Sequence, residues 1–128
     1  MTTPFWCLFI AAVLPYVLSS LGGYFRVRQL GTLDNKHPRI QKLQLEGIGA
    51  RVFGAEQNAF EILPVFAAAV LVSHLAGADA ARAAQLSEAF ILTRILHPIL
   101  YAANQDMLRS VVFLAGLGCC IALFVISG

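Results

Sequence analysis

Apolar positions come in long unbroken runs, not in the narrow stripes of a soluble helix. Residues Phe5 to Leu21 carry almost no polar interruption, which is about the length that crosses a ~30 Å hydrocarbon core. Then comes the one long polar stretch, Tyr24 to Leu45, where Gly31, Asn35 and Pro38 argue against a single regular helix. Taken to their polar flanks, four runs emerge at 5–23, 51–76, 83–103 and 109–127, the last three separated by short turns around Gly77–Asp79 and Asn104–Leu108. Trp6 and Tyr24 stand where interfacial anchors of the first run belong. No basic residue precedes that run, so it reads as a retained helix and not as a secretory signal. Short connections make the last three spans antiparallel neighbours. The pattern predicts an all-α fold, a transmembrane four-helix bundle forming a single domain over residues 1–128.

Composition supports that reading. Hydrophobic residues make up 59% and charged residues 12%, against about 45–50% and about 25% in ordinary soluble domains. A soluble domain this small has too little interior to hide so much apolar surface. The net charge of +2 is too low to suggest a nucleic-acid partner. Its distribution says more. Arg26, Arg28, Lys36, Arg39 and Lys42 lie in the first loop and Arg109 ends the third connection, while the second turn holds only Arg82. The positive-inside rule places loops one and three in the cytoplasm and both termini on the opposite side. Cys7, Cys119 and Cys120 sit in apolar runs without a CxxC pair or a His-rich spacing, so neither a disulfide framework nor a metal site is expected. They read as small hydrophobes.

Charges inside the spans are the candidate chemistry, because one at mid-bilayer costs roughly 2.5–3.5 kcal/mol and is tolerated mainly facing a bundle interior. At about 100° per residue, Arg51, Asn58 and Glu61 fall within roughly an 80° arc of span two. Arg94, His97 and Tyr101 fall within roughly a 60° arc of span three. Both arcs lie toward the predicted cytoplasmic ends, so one polar cleft between the two helices is expected. In the competing reading, Glu61 pairs Arg94 or Arg51 and only fixes helix register, and His97 is a hydrogen-bonded contact between helices. Glu56 and Glu88 fall off the shared faces and read as interfacial or solvated. Pro15, Pro64 and Pro98 are expected to kink their helices. Ala67–Ala69, Ala115, Gly116 and Gly118 are small enough for close helix contact between subunits.

The run Arg51-Val-Phe-Gly-Ala-Glu-Gln-Asn58-Ala-Phe-Glu61-Ile-Leu-Pro64 resembles the MAPEG family, the membrane-associated proteins in eicosanoid and glutathione metabolism. Arg94-Ile-Leu-His97-Pro-Ile-Leu-Tyr101 followed by Leu108-Arg109-Ser110, and Arg26-Val-Arg28 at the exit of span one, are similar to further runs of that family. The short bacterial branch is nearest in style, which implies a bacterial inner membrane. The resemblance implies a homotrimer that binds glutathione, as co-substrate, between neighbouring subunits. It implies that Arg109 stabilises the thiolate and that Asn58 and Glu61 bind the tripeptide backbone. Arg51 and Arg94 take its carboxylates, with Arg26, His97, Tyr101 and Ser110 completing the site. The implied activity is a glutathione-dependent transferase or peroxidase acting on lipophilic electrophiles that arrive through membrane lipid. Two readings stand beside it: a non-catalytic lipid- or partner-binding protein of the same fold, and a small transporter. One departure bears on the site. Some members carry an Arg four residues before the Asn, and here that position is Gly54.

Overall fold

The computed structural model describes all 128 residues. Five helices follow one another: α1 Thr3–Leu30, α2 Pro38–Leu43, α3 Gly47–Leu75, α4 Ala80–Ala102 and α5 Asp106–Val125. There is no strand. The polar stretch is broken where its residues dictate. Gly31 ends α1 in the left-handed region (φ 84°), its N–H donating to the Val27 carbonyl at 3.0 Å. Pro38 opens α2, at a position whose N–H has no partner within a helix anyway. α1 continues past Tyr24 to Leu30, carrying Arg26 and Arg28 as helical residues. Pro15, Pro64 and Pro98 lie inside α1, α3 and α4, and each helix runs on through its proline.

α1, α3 and α5 are long and apolar enough to cross a membrane. At 28 and 29 residues, α1 and α3 would each rise about 42 Å at ~1.5 Å per residue, well beyond a ~30 Å hydrocarbon core. α4 is less apolar because it carries Arg82, Gln85, Glu88, Arg94 and His97. Its polar Ser87, Arg94 and His97 are turned inward and buried. Only 26 of the 128 residues are buried, so most apolar side chains face outward and need lipid or a partner to cover them. Hydroxyls within the long helices cause no trouble. Those of Ser20, Ser73, Ser87, Thr93 and Ser110 each donate to a carbonyl three or four residues back along their own helix, and Ser127 just past α5 does the same to Leu123.

α3 and α4 form the middle of the packing. α1 lies against one side of that pair and α5 against the other, and α1 and α5 do not pack on each other. The core between them centres on Phe66 and Phe90, stacked with ring centroids 3.8 Å apart. Cys7, Ile62, Val70, Cys120 and Leu123 close around them. All three cysteines are free thiols. Ala69 and Gly116 are corrections to the expected subunit contacts. Both are consumed within the chain: Ala69 is fully buried, and a methyl group on Gly116 would lie 2.6 Å from the Thr93 hydroxyl oxygen on α4.

Polar contacts fix the first loop to the ends of the long helices. Lys42 Nζ on α2 donates to both carboxylate oxygens of Glu56 on α3, at 2.7 and 2.9 Å, and to Ser19 Oγ on α1 at 3.3 Å. Gln41 beside it accepts from Arg26 Nη1 (3.2 Å) and the Asp34 N–H (3.0 Å), and donates to the Thr32 carbonyl (2.7 Å). Gln29 donates to the Glu46 carbonyl and accepts from its N–H, at 3.0 and 2.9 Å. Glu56 is therefore not solvated, as its helical face suggested. It is 3% exposed, because the loop folds Lys42 back over it.

Breaking this pair has a defined cost. Glu56→Ala strands a buried ammonium, and the loss is expected to be roughly 3–5 kcal/mol. The double variant Lys42→Met/Glu56→Leu should recover most of it. Reversible unfolding in mixed detergent micelles measures both.

Candidate functional site

The polar residues of α3, α4 and α5 converge where loop one and the α4–α5 turn share one end of the bundle. The shared end is marked by Arg51 near the start of α3, whose Nε donates to the Ala102 carbonyl at the end of α4, 3.1 Å away. Just inside that end lies an open cleft of about 540 Å³. α3 contributes Gly54, Gln57, Asn58 and Glu61, α4 contributes His97 and Tyr101, and α5 contributes Arg109, Ser110, Phe113 and Leu114. Gly54, Asn58 and Glu61 are spaced at i, i+4 and i+7, so one face of α3 presents all three.

The charges in the cleft are not used up by one another. Glu61 is exposed, and it pairs with neither Arg94 nor Arg51, because the only salt bridge in the chain joins Lys42 and Glu56. Arg109 is held by an aromatic face, not by an acid: its guanidinium carbon sits 4.2 Å from the centre of the Tyr101 ring. Tyr101 meets His97 edge-on at 5.7 Å between ring centroids. Ser110 Oγ donates back to the Asp106 carbonyl at 3.0 Å, which uses its one O–H and leaves it an acceptor.

Arg94 lies behind this surface. It is 3% exposed, its Nη1 donates to Asn58 Oδ1 at 3.0 Å, and its guanidinium lies 5.5 Å from the ring centre of Phe90 and 5.8 Å from that of Phe113. Nη2 is buried without a hydrogen-bond partner, against the space left by Gly116, where a methyl would come within 3.2 Å of it. Arg94 thus orients the Asn58 amide. With Nη1 donating to Oδ1, the Asn58 NH₂ is the group left free to donate elsewhere.

Of the nine residues singled out from sequence, six line this cleft: Asn58, Glu61, His97, Tyr101, Arg109 and Ser110. Arg94 stands one layer behind, and Arg51 lines a smaller adjoining hollow of about 100 Å³ that also reaches Tyr101 and Arg109. Arg26 is elsewhere. It faces an open groove along α1 with Tyr16, Ser19 and Tyr24, on the far side of the α3–α4 pair from α5. Gln57 was not anticipated as a site residue, and Gly54 was raised only as a departure from the family pattern, although its position four before Asn58 places it on the same helical face. No three His, Cys, Asp or Glu side chains converge in a way that would hold a metal ion.

The MAPEG family model matches residues 3–128, essentially the whole length. The chain belongs to the MAPEG family. No curated protein and no solved structure matches it at a significant level. The MAPEG membership makes this a membrane protein whose polar cleft lies at the rim of its apolar helices. In chemical terms, the cleft offers a free carboxylate and an amide on α3 and a guanidinium on α5. Such a set fits a small ligand bearing both a cationic and an anionic group.

The Arg94–Asn58 link is testable by itself. Asn58→Leu removes the one side-chain acceptor on α3 for a buried guanidinium, and is expected to destabilise the fold by roughly 1–3 kcal/mol. Asn58→Asp keeps the acceptor oxygen and should be milder. Thermal midpoints in a single detergent rank the two.

Proposed function

We propose that this MAPEG protein is a membrane-bound glutathione-dependent transferase or peroxidase for lipophilic electrophiles. The observation that carries the reading is the unpaired Glu61 carboxylate and the ring-seated Arg109 guanidinium sharing one cleft with Asn58. Glutathione is a flexible anion with one ammonium. Glu61 would take the ammonium and the Asn58 amide a backbone carbonyl. Arg51, in the adjoining hollow, lies where a carboxylate reaching past Tyr101 would end.

The chemistry asked of the chain is modest. A thiol with a pKa near ~8.5 is mostly protonated at neutral pH. A guanidinium held beside the sulfur favours the thiolate, because it is a permanent charge that does not itself exchange a proton. The thiol proton passes to water at the open side of the cleft. The thiolate then attacks an electrophilic carbon and the leaving group departs with the bonding pair. With a hydroperoxide, two glutathione molecules supply the electrons, giving one disulfide, an alcohol and water. Apolar substrates reach the sulfur sideways, past Phe113 and Leu114.

Assembly as a trimer belongs to the same reading. Arg26 cannot serve the cleft of its own subunit, since α1 and α5 lie on opposite sides of the bundle. A neighbour's α1, laid along the open side, would bring Arg26 and its groove to that cleft. It would also cover part of the exposed apolar surface. α4 then crosses the membrane as a fourth span, its inward Arg94 and His97 screened by α3 and α5. Loops one and three, which carry most of the basic residues, face the cytoplasm.

Purified protein is expected to bind glutathione calorimetrically, to show the ultraviolet thiolate band at neutral pH, and to conjugate glutathione to a chloronitrobenzene acceptor. Arg109→Ala should abolish the band and lower kcat by roughly 10²–10³-fold, the effect of removing one donor from a developing or stabilised anion. Saturating glutathione with neither heat nor turnover overturns the reading.

A further inference from the structure

Gly54 has no side chain, and the reason is visible on the neighbouring helix. A methyl group built there would come within 2.6 Å of Tyr101 Cζ and 3.1 Å of Cε1, and closer still to the hydroxyl oxygen. Real Cβ atoms do not approach other atoms this closely, so any residue larger than glycine must push the ring of Tyr101 away. The same ring carries the Arg109 guanidinium, 4.2 Å from its centre. Gly54 on α3, Tyr101 on α4 and Arg109 on α5 therefore form a stack of successive contacts across three helices. The guanidinium has no acidic partner to hold it. The position of the ring sets the position of the charge.

We propose that Gly54 and the Tyr101 ring are positioning residues for Arg109, seating its guanidinium at the depth where an anionic sulfur can meet it. This deepens the glutathione-dependent reading and rests on it for the identity of the anion. The absent Cβ at Gly54 is part of the device: it lets the ring sit flush against α3, and so brings Arg109 close to the Asn58 face. The aromatic face, not the phenol hydroxyl, does the seating. The conservative variant Tyr101→Phe therefore keeps the stack, while Tyr101→Leu and Gly54→Ala disrupt it.

The test uses full-length protein in detergent or nanodiscs. Circular dichroism and thermal midpoints first establish that each variant is folded. The pH profile of the thiolate band of bound glutathione is then the deciding readout, because a merely structural role would change how much protein is folded without moving that profile. Gly54→Ala and Tyr101→Leu should shift the profile toward that of free glutathione and lower kcat by up to about 10²-fold, the scale set by a misplacement of about 1 Å. Tyr101→Phe should raise KM but hold the wild-type pH profile. If folded Gly54→Ala and Tyr101→Leu keep the wild-type profile, or if Tyr101→Phe loses it, the proposal is overturned. A wild-type protein that binds no glutathione sinks the functional reading instead. The stack is then read without ligand from the ¹⁵N–¹H resonance of Arg109 Nε. Its upfield ring-current shift should be present in wild type and Tyr101→Phe and absent in Gly54→Ala, and a resonance unmoved by Gly54→Ala overturns the stack itself.

Discussion

A cation set among apolar helices must find its partner within the chain, and that constraint organises the polar half of this protein. Lys42 and Glu56 satisfy it as an ion pair with Ser19 as a third member. Arg94 satisfies it with the Asn58 amide and two aromatic faces. Arg109 satisfies it with the Tyr101 ring alone. The three solutions differ in how much reactivity they leave behind. A bidentate pair quenches both charges, an amide leaves a guanidinium with one unpartnered nitrogen, and a ring leaves a cation whose nitrogens are free to meet an anion. The gradation runs from the loop end of α1 and α2 across the bundle to the mouth of the cleft on α5.

The apolar half follows different rules. Helices in lipid gain little by hiding apolar side chains from one another, so close contact has to come from shape. The Phe66–Phe90 stack supplies it in the middle, and Ala69, Cys120 and Gly116 let the backbones approach around it. Apart from Ser19, which accepts from Lys42, the hydroxyls add little between helices, because they donate to carbonyls of their own helix. Shape complementarity in the core and polar contacts at the rim therefore divide the labour: one sets the distance between helices, the other their register.

Much of this was legible in the sequence and some was not, for identifiable reasons. The long apolar runs announced the long helices, and the 100° arithmetic put Asn58, Glu61, His97 and Tyr101 toward one cleft, since helical periodicity is a local property. Gly31 and Pro38 marked the break in the polar stretch for the same reason. Glu56 was misread because its partner is in a loop. Nothing in the spacing of Lys42 says that it folds back onto α3. The same blindness left Gly54 as only a departure from the family pattern and Gly116 as a candidate for subunit contact, since the worth of a missing side chain depends on what the next helix places there. Arg26 shows the opposite limit: its motif resembles the family, yet within one chain it lies away from the other residues of that pattern.

One feature of the polar network is its lopsidedness. Lys42–Glu56, Gln29–Glu46, Arg51–Ala102 and Arg94–Asn58 all lie toward the end that carries loop one. At the other end no side-chain hydrogen bond joins α1 to α3, and they meet through apolar packing of Cys7 beside Val70 and the edge of Phe5 against His74, 4.9 Å between ring centroids. The bundle is thus clamped like tongs at one tip. A thicker or more ordered bilayer acts on such a body unevenly, parting the unclamped tips of α1 and α3 while the clamped end keeps its spacing. Hydrogen exchange in lipids of graded chain length will register first near Phe5 and His74, and last around Asn58.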